Sequence, residues 1–241
     1  MSQNLWQFDE TRKDFSNYYW YADELPARKF YLFIAEIGRQ LRRLMTQPDQ
    51  IEMIELCEQC GEGKVSENEI SDFGDRIRRC GSDPENNLHA NSLYWWVPDR
   101  YKVASHGVEE FAVEAFAIEA AVNAGVLKPN ASFQDIDAVQ RHPVFASVRD
   151  RTELEWGNLV RCIYGPNPFT PPTFSPSWRS ESAVALARTA YDTRNFTLLP
   201  ILADALEEAG CDHADMLNHC RDPKAIHARG CWVVDLVLGK S

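Results

Sequence analysis

"GCWVVDLVLG" occupies Gly230–Gly239 and carries the strongest strand signal in the chain, because Val233, Val234 and Val237 are β-branched. Read as a strand, it makes the protein a mixture of helix and sheet. Read as a helix, it leaves an all-α chain. Two observations decide for the helix. Trp232 with Leu236, and Val233 with Val237, pair at the i,i+4 spacing of one helical face. No second stretch offers a partner strand, and a lone strand has nothing to satisfy its backbone.

Working outward from there, "LLPILADALEEAG" (198–210) has Pro200 in its first turn and Gly210 as its stop. "SESAVALARTAYD" (180–192) precedes it and "HADMLNHCR" (213–221) follows, each long enough for a short helix. Upstream, "GPNPFTPPTFSPSW" (165–178) contains five prolines and must cross the surface as extended chain or turns. In the N-terminal part, Phe30, Phe33, Ile34, Ile37, Leu41 and Leu44 fall on one helical face after Pro26. "TQPDQIEMIELCEQCGEG" (46–63) reads as a second helix stopping at Gly61 or Gly63, and Ser66 with Glu69 forms a capping box for a third. "EEFAVEAFAIEAAVNAG" (109–125) is apolar around more than half its circumference, which suits a central helix ending at Gly125. Thr152 with Glu155 reads as a further capping box ahead of "LEWGNLVRCIYG". The expected fold is all-α, a compact irregular helical bundle. It divides into an N-terminal helical part (1–164), a proline-rich connector (165–178) and a C-terminal group of short helices (179–241).

At 241 residues the chain can bury a substantial core, and 44% hydrophobic with 25% charged residues is ordinary for a globular protein. No apolar stretch reaches the roughly 18 residues of a membrane span. The opening "MSQNLWQFDETRKDF" lacks the basic and apolar regions of an export signal. Seven cysteines, an odd number, argue against a disulfide framework, so the expected setting is the cytoplasm with reduced thiols. A net charge of −11 disfavours nucleic acid and anionic membrane as partners. The basic stretch Arg28, Lys29, Arg39, Arg42, Arg43 is expected to pair with neighbouring acidic segments.

Nucleotide-binding glycine loops, a G-x-S-x-G elbow, H-E-x-x-H and the Glu-x-x-His pairs of di-iron bundles are all missing from the sequence. Glu36, Glu114, Glu119 and Glu155 are read as solvated faces. Cys57-x-x-Cys60 places two thiols on one helix face, but late in the helix, where the dipole does not favour a thiolate.

"CDHADMLNHCRDPKAIHARGC" (211–231) gathers three cysteines and three histidines. A Cys2His2 zinc set of Cys211, His219, His227 and Cys231 is arithmetically available, although the spacing departs from the strong zinc patterns. The simpler reading is that these cysteines pack as small apolar side chains, and no metal or other cofactor is favoured on that reading. Asp215, four residues before His219, makes a His/Asp pair conceivable as hydrolase chemistry.

Aromatic rings crowd the first 21 residues, with Tyr18, Tyr19 and Trp20 consecutive, and Trp95 and Trp96 stand in a later loop-like stretch. With Tyr21, four consecutive rings would surround a helix axis and cannot all be hidden, so Tyr18, Tyr19, Trp20, Trp95 and Trp96 are candidate anchors for a protein partner.

"LVRCIYGPNPFTPPTFSPSW" (159–178), "TAYDTRNFTLLPILADALEEAGCDHADMLNHCR" (189–221) and "HARGCWVVDLVLGK" (227–240) together resemble an uncharacterised planctomycete-type family of paralogues with this C-terminal pattern. The N-terminal "ARKFYLFIAEIGRQLRRLM" is similar to that family's opening helix, but Ala35, Glu36 and Ile37 stand where the family has cysteines. "LPILADALEEAGCDHADML" is distantly similar to the helical companion motif of bacterial leucine-rich repeats. The resemblance implies a compact helical domain and brings no activity, cofactor or catalytic residue. The function expected is therefore a non-enzymatic protein-interaction or scaffold module. The alternatives are a zinc-stabilised adaptor built on the 211–231 cluster and a hydrolase using His219 and Asp215.

Overall fold

In the computed structural model, which describes residues 26–45, 48–80, 108–128, 141–167 and 172–240, every regular element is helical. Nine α-helices occur among these residues: α1 Ala27–Leu41, α2 Pro48–Gly61, α3 Glu67–Cys80, α4 Val108–Asn123, α5 Pro143–Tyr164, α6 Glu181–Thr193, α7 Leu199–Glu208, α8 Ala214–Arg221 and α9 Trp232–Leu238. Short 3-10 turns stand at Arg42–Leu44, Pro176–Trp178 and Phe196–Leu198. No described helix is long and apolar enough to cross a membrane. The contacts divide the chain into two units, with the described residues up to Trp156 in one and those from Gly157 in the other. The division falls inside α5, upstream of the proline-rich segment.

In the first unit α1 is the organising helix. Phe30, Phe33, Ile34, Ile37 and Leu41 are fully buried, as their spacing requires. α2 lies close against α1. A Cβ added at Gly61 would come within 2.7 Å of the Leu32 side chain and 3.2 Å of the Arg28 carbonyl oxygen, so the end of α2 needs a bare backbone there. The basic stretch finds acidic partners: Arg39 pairs with Glu58 on α2, and Arg43 with Glu119 on α4 at 2.6 Å. Trp156 donates its indole N–H to Gln40 Oε1 at 3.0 Å. Ser66 and Glu69 exchange hydrogen bonds as the capping box predicts, with Ser66 N–H donating to Glu69 at 2.8 Å and Glu69 N–H to Ser66 Oγ at 3.3 Å.

One expected helix start is corrected. Thr152 and Glu155 do not open a helix, because α5 runs unbroken from Pro143 and Thr152 is buried in its middle. The start lies ten residues earlier, where His142 Nδ1 accepts from the Val144 N–H at 3.2 Å and proline occupies the first helical position. A proline at N1 outweighed a Thr-x-x-Glu pattern that also suits a helix interior.

In the second unit, "GCWVVDLVLG" is helix α9. Trp232, Val233, Val234, Asp235 and Val237 are all buried, so the helix is covered on most sides. That explains its composition: β-branched residues cost little helix propensity compared with the apolar area they bury here. Gly239, at φ +68°, ends it, with the Lys240 N–H reaching back to the Asp235 carbonyl at 2.9 Å. Arg179 caps its last carbonyls, donating to Val237 O at 3.1 Å and Leu236 O at 2.9 Å. Arg229 does the same for α6, donating to the Tyr191 and Asp192 carbonyls, each at 2.9 Å. Arg221 ties α8 to α7 through Asp204 and Glu207, both at 2.6 Å.

Candidate metal centre

The core of the second unit contains four cysteines: Cys162, Cys211, Cys220 and Cys231. Two of them meet histidines. Cys162 stands in the last turn of α5 and is fully buried; its Sγ lies 3.8 Å from His227 Nδ1. Cys231 is the residue immediately before α9, also fully buried, and its Sγ lies 3.4 Å from His219 Nε2. His219 comes from the last turn of α8 and His227 from the loop between α8 and α9. All four ligand atoms lie within 4.8 Å of one another. It is the one group of three or more metal-ligating side chains found among the described residues.

Aromatic rings hold the imidazoles. The His219 and His227 rings meet edge to face with centroids 4.8 Å apart. Trp232 lies 5.8 Å from the His219 ring and Phe196 lies 6.4 Å from the His227 ring, each between centroids. Burial pushes the Cys231 thiol up, but the hydrogen bond from Cys162, the charge and hydrogen bond of His219 and the hydrogen bond of His227 outweigh it. The net direction is well below an ordinary thiol. Cys220 shows the contrast. It is buried in the same core without an imidazole beside its sulfur, and its thiol is pushed far up by desolvation and by Cys231 and Cys211.

Three of the four residues expected for a zinc set, His219, His227 and Cys231, are brought together, and Cys211 is not. Cys211 follows Gly210, whose φ of +88° ends α7, and its N–H returns to the Leu206 carbonyl at 2.9 Å. That turn sends its side chain into the core, where its sulfur accepts the His213 backbone N–H and burial raises the thiol. Cys162 takes the fourth corner instead. It lies 57 positions before His219 in sequence, and only tertiary packing places it there.

The remaining candidates separate from this cluster. Asp215 is exposed on α8 while His219 Nε2 faces Cys231. His213, the residue before α8, leaves Nδ1 buried and unpartnered, the sole such side-chain atom among the described residues. Cys57 and Cys60 are free thiols; burial pushes Cys57 well up, and burial with Glu67 and Glu69 pushes Cys60 up to about 12. Tyr18, Tyr19, Trp20, Trp95 and Trp96 lie outside the described residues. In comparisons with protein-family models, curated proteins and solved structures, nothing matches this chain.

Proposed function

We propose that the protein is a non-enzymatic interaction or scaffold module whose C-terminal unit is held together by one zinc ion on Cys162, His219, His227 and Cys231. The observation that carries this reading is the convergence of four ligand atoms from α5, α8, the following loop and the start of α9, every pair within 4.8 Å. A tetrahedral site with Zn–S near 2.3 Å and Zn–N near 2.0–2.1 Å has edges of about 3.3–3.8 Å. The two Cys–His pairs at 3.8 and 3.4 Å already match those edges. Two thiolates and two imidazoles in that geometry favour zinc among the divalent metals. A two-iron cluster would pair cysteine with cysteine and histidine with histidine on separate irons. Here the close pairs are mixed.

Core packing alone accounts for the burial of Cys162 and Cys231 but not for the imidazole nitrogen facing each sulfur. Four protein ligands leave no position for a substrate or water, which supports a structural role over a catalytic one. Of the three helices that the ion would join, α8 and α9 are short, with 8 and 7 residues. Helices of that length are marginal alone, so a tie between them contributes directly to folding. Cys57, Cys60, Cys162, Cys211, Cys220 and Cys231 form no disulfide, which suits the cytoplasm. The partner is another protein, engaged through Tyr18, Tyr19, Trp20, Trp95 and Trp96. The chain is further proposed to belong to the planctomycete-type family that its C-terminal pattern resembles, which brings no activity of its own.

The test is elemental analysis of the purified full chain with melting curves before and after a strong chelator. About one zinc per chain and a lower melting temperature on chelation are expected. No bound zinc and an unchanged melting temperature would overturn the reading.

A further inference from the structure

Trp232 directly follows the ligand Cys231, and Gly165 stands three residues after the ligand Cys162. The two meet. A Cβ built at Gly165 would lie 3.2 Å from Trp232 Cγ and 3.3 Å from Cδ2, so the indole rests on bare backbone. Gly165 has φ +79°, which also favours glycine. The same indole packs on the His219 ring at 5.8 Å between centroids and 43° between planes. On another side it meets the His213 ring at 6.4 Å. One buried side chain therefore touches segments carrying three of the four ligands: the end of α5 through Gly165, the start of α9 through its own backbone, and His219 directly.

We infer that Trp232, seated on Gly165, is a positioning residue for the metal centre. It fixes the His219 ring and holds the two thiol-bearing segments together before the ion binds. The inference rests on the zinc reading above. Its physical basis is preorganisation: a site whose ligands are already placed loses less freedom on binding, and contacts behind the ligands commonly change metal affinity by about 10- to 100-fold. Core packing by itself makes a different statement. It says that Trp232 stabilises the unit with or without metal, as Leu202 does, which is fully buried in the same core.

The experiment compares the full chain with Trp232→Leu, Trp232→Phe, Gly165→Ala and Leu202→Ala. Zinc affinity is read by competition with a chromophoric chelator, coordination by the visible spectrum of the cobalt(II)-substituted protein, and stability by melting of the metal-free chain. Trp232→Leu is expected to weaken zinc by at least about tenfold and to alter the cobalt spectrum. Trp232→Phe, which keeps a flat ring over His219, should recover most of both. Leu202→Ala should lower the melting temperature of the metal-free chain and leave affinity and spectrum at wild-type values. Should Trp232→Leu fail to fold, Gly165→Ala reads the same contact from the opposite side and should weaken zinc as well. Wild-type affinity and spectrum in Trp232→Leu or Gly165→Ala would overturn the inference, as would an equal loss of affinity in Leu202→Ala. A wild-type chain that takes up neither ion would instead remove the zinc reading, and this inference with it.

Discussion

Cys162 and Cys211 make a controlled pair for mutation. Both lie outside any disulfide, both are buried in one core, and serine replaces either sulfur with a smaller hydroxyl. Burying that hydroxyl costs on the order of 1–3 kcal/mol at either position when it lacks a partner. The zinc-linked part of stability separates them. Cys162 Sγ faces His227 Nδ1 within the four-ligand group, whereas the Cys211 sulfur accepts the His213 backbone N–H outside it. Loss of one ligand in four should weaken zinc by at least about a hundredfold, more than loss of a supporting contact. At saturating metal that removes about 2.7 kcal/mol of linked stabilisation. For a chain of this size, about 2–4 °C per kcal/mol converts it to roughly 5–11 °C. The assay is the melting temperature with excess zinc minus that with chelator, so the common burial cost cancels. Cys211→Ser should keep the wild-type difference, and Cys162→Ser should lose about 5–11 °C of it. The reverse pattern would return the fourth ligand to Cys211, and no loss in either would remove the site.

Gly61→Ala should destabilise the first unit by about 1–3 kcal/mol, since its Cβ would press on Leu32 at 2.7 Å and on the Arg28 carbonyl; urea unfolding reads the change, and wild-type stability would show that the α1–α2 contact is looser than described. Cys57 and Cys60 should resist iodoacetamide at pH 8 in the native chain, because burial keeps both thiols protonated; rapid alkylation of either, followed by mass spectrometry, would revive a redox role. Tyr18→Ala with Trp20→Ala should weaken the native partner by on the order of 2 kcal/mol in quantitative pull-downs while leaving the melting temperature in place. A collapse in stability would assign those rings to the core.

Helix type and order were legible because α1, α2, α3 and α4 declare themselves by period, caps and glycine stops. α9 was legible for a subtler reason, the i,i+4 pairing of residues that individually prefer strands. The start of α5 was misplaced because a capping-box pattern is local, while the choice between two starts lay with Pro143 and the burial of Thr152. The candidate metal centre was legible in part. His219, His227 and Cys231 stand near one another in sequence, but Cys162 reaches them only through the path of α5, and periodicity carries no information about that path. Cys211 looked equivalent until the turn after Gly210 aimed it elsewhere.

Zinc-edge X-ray absorption of the purified full chain tests the central claim most directly, because it reads ligand type and distance around the ion itself. Two sulfurs near 2.3 Å and two nitrogens near 2.0–2.1 Å per zinc are predicted for Cys162, Cys231, His219 and His227. A shell of oxygen or nitrogen alone, or zinc far below one equivalent, would contradict it.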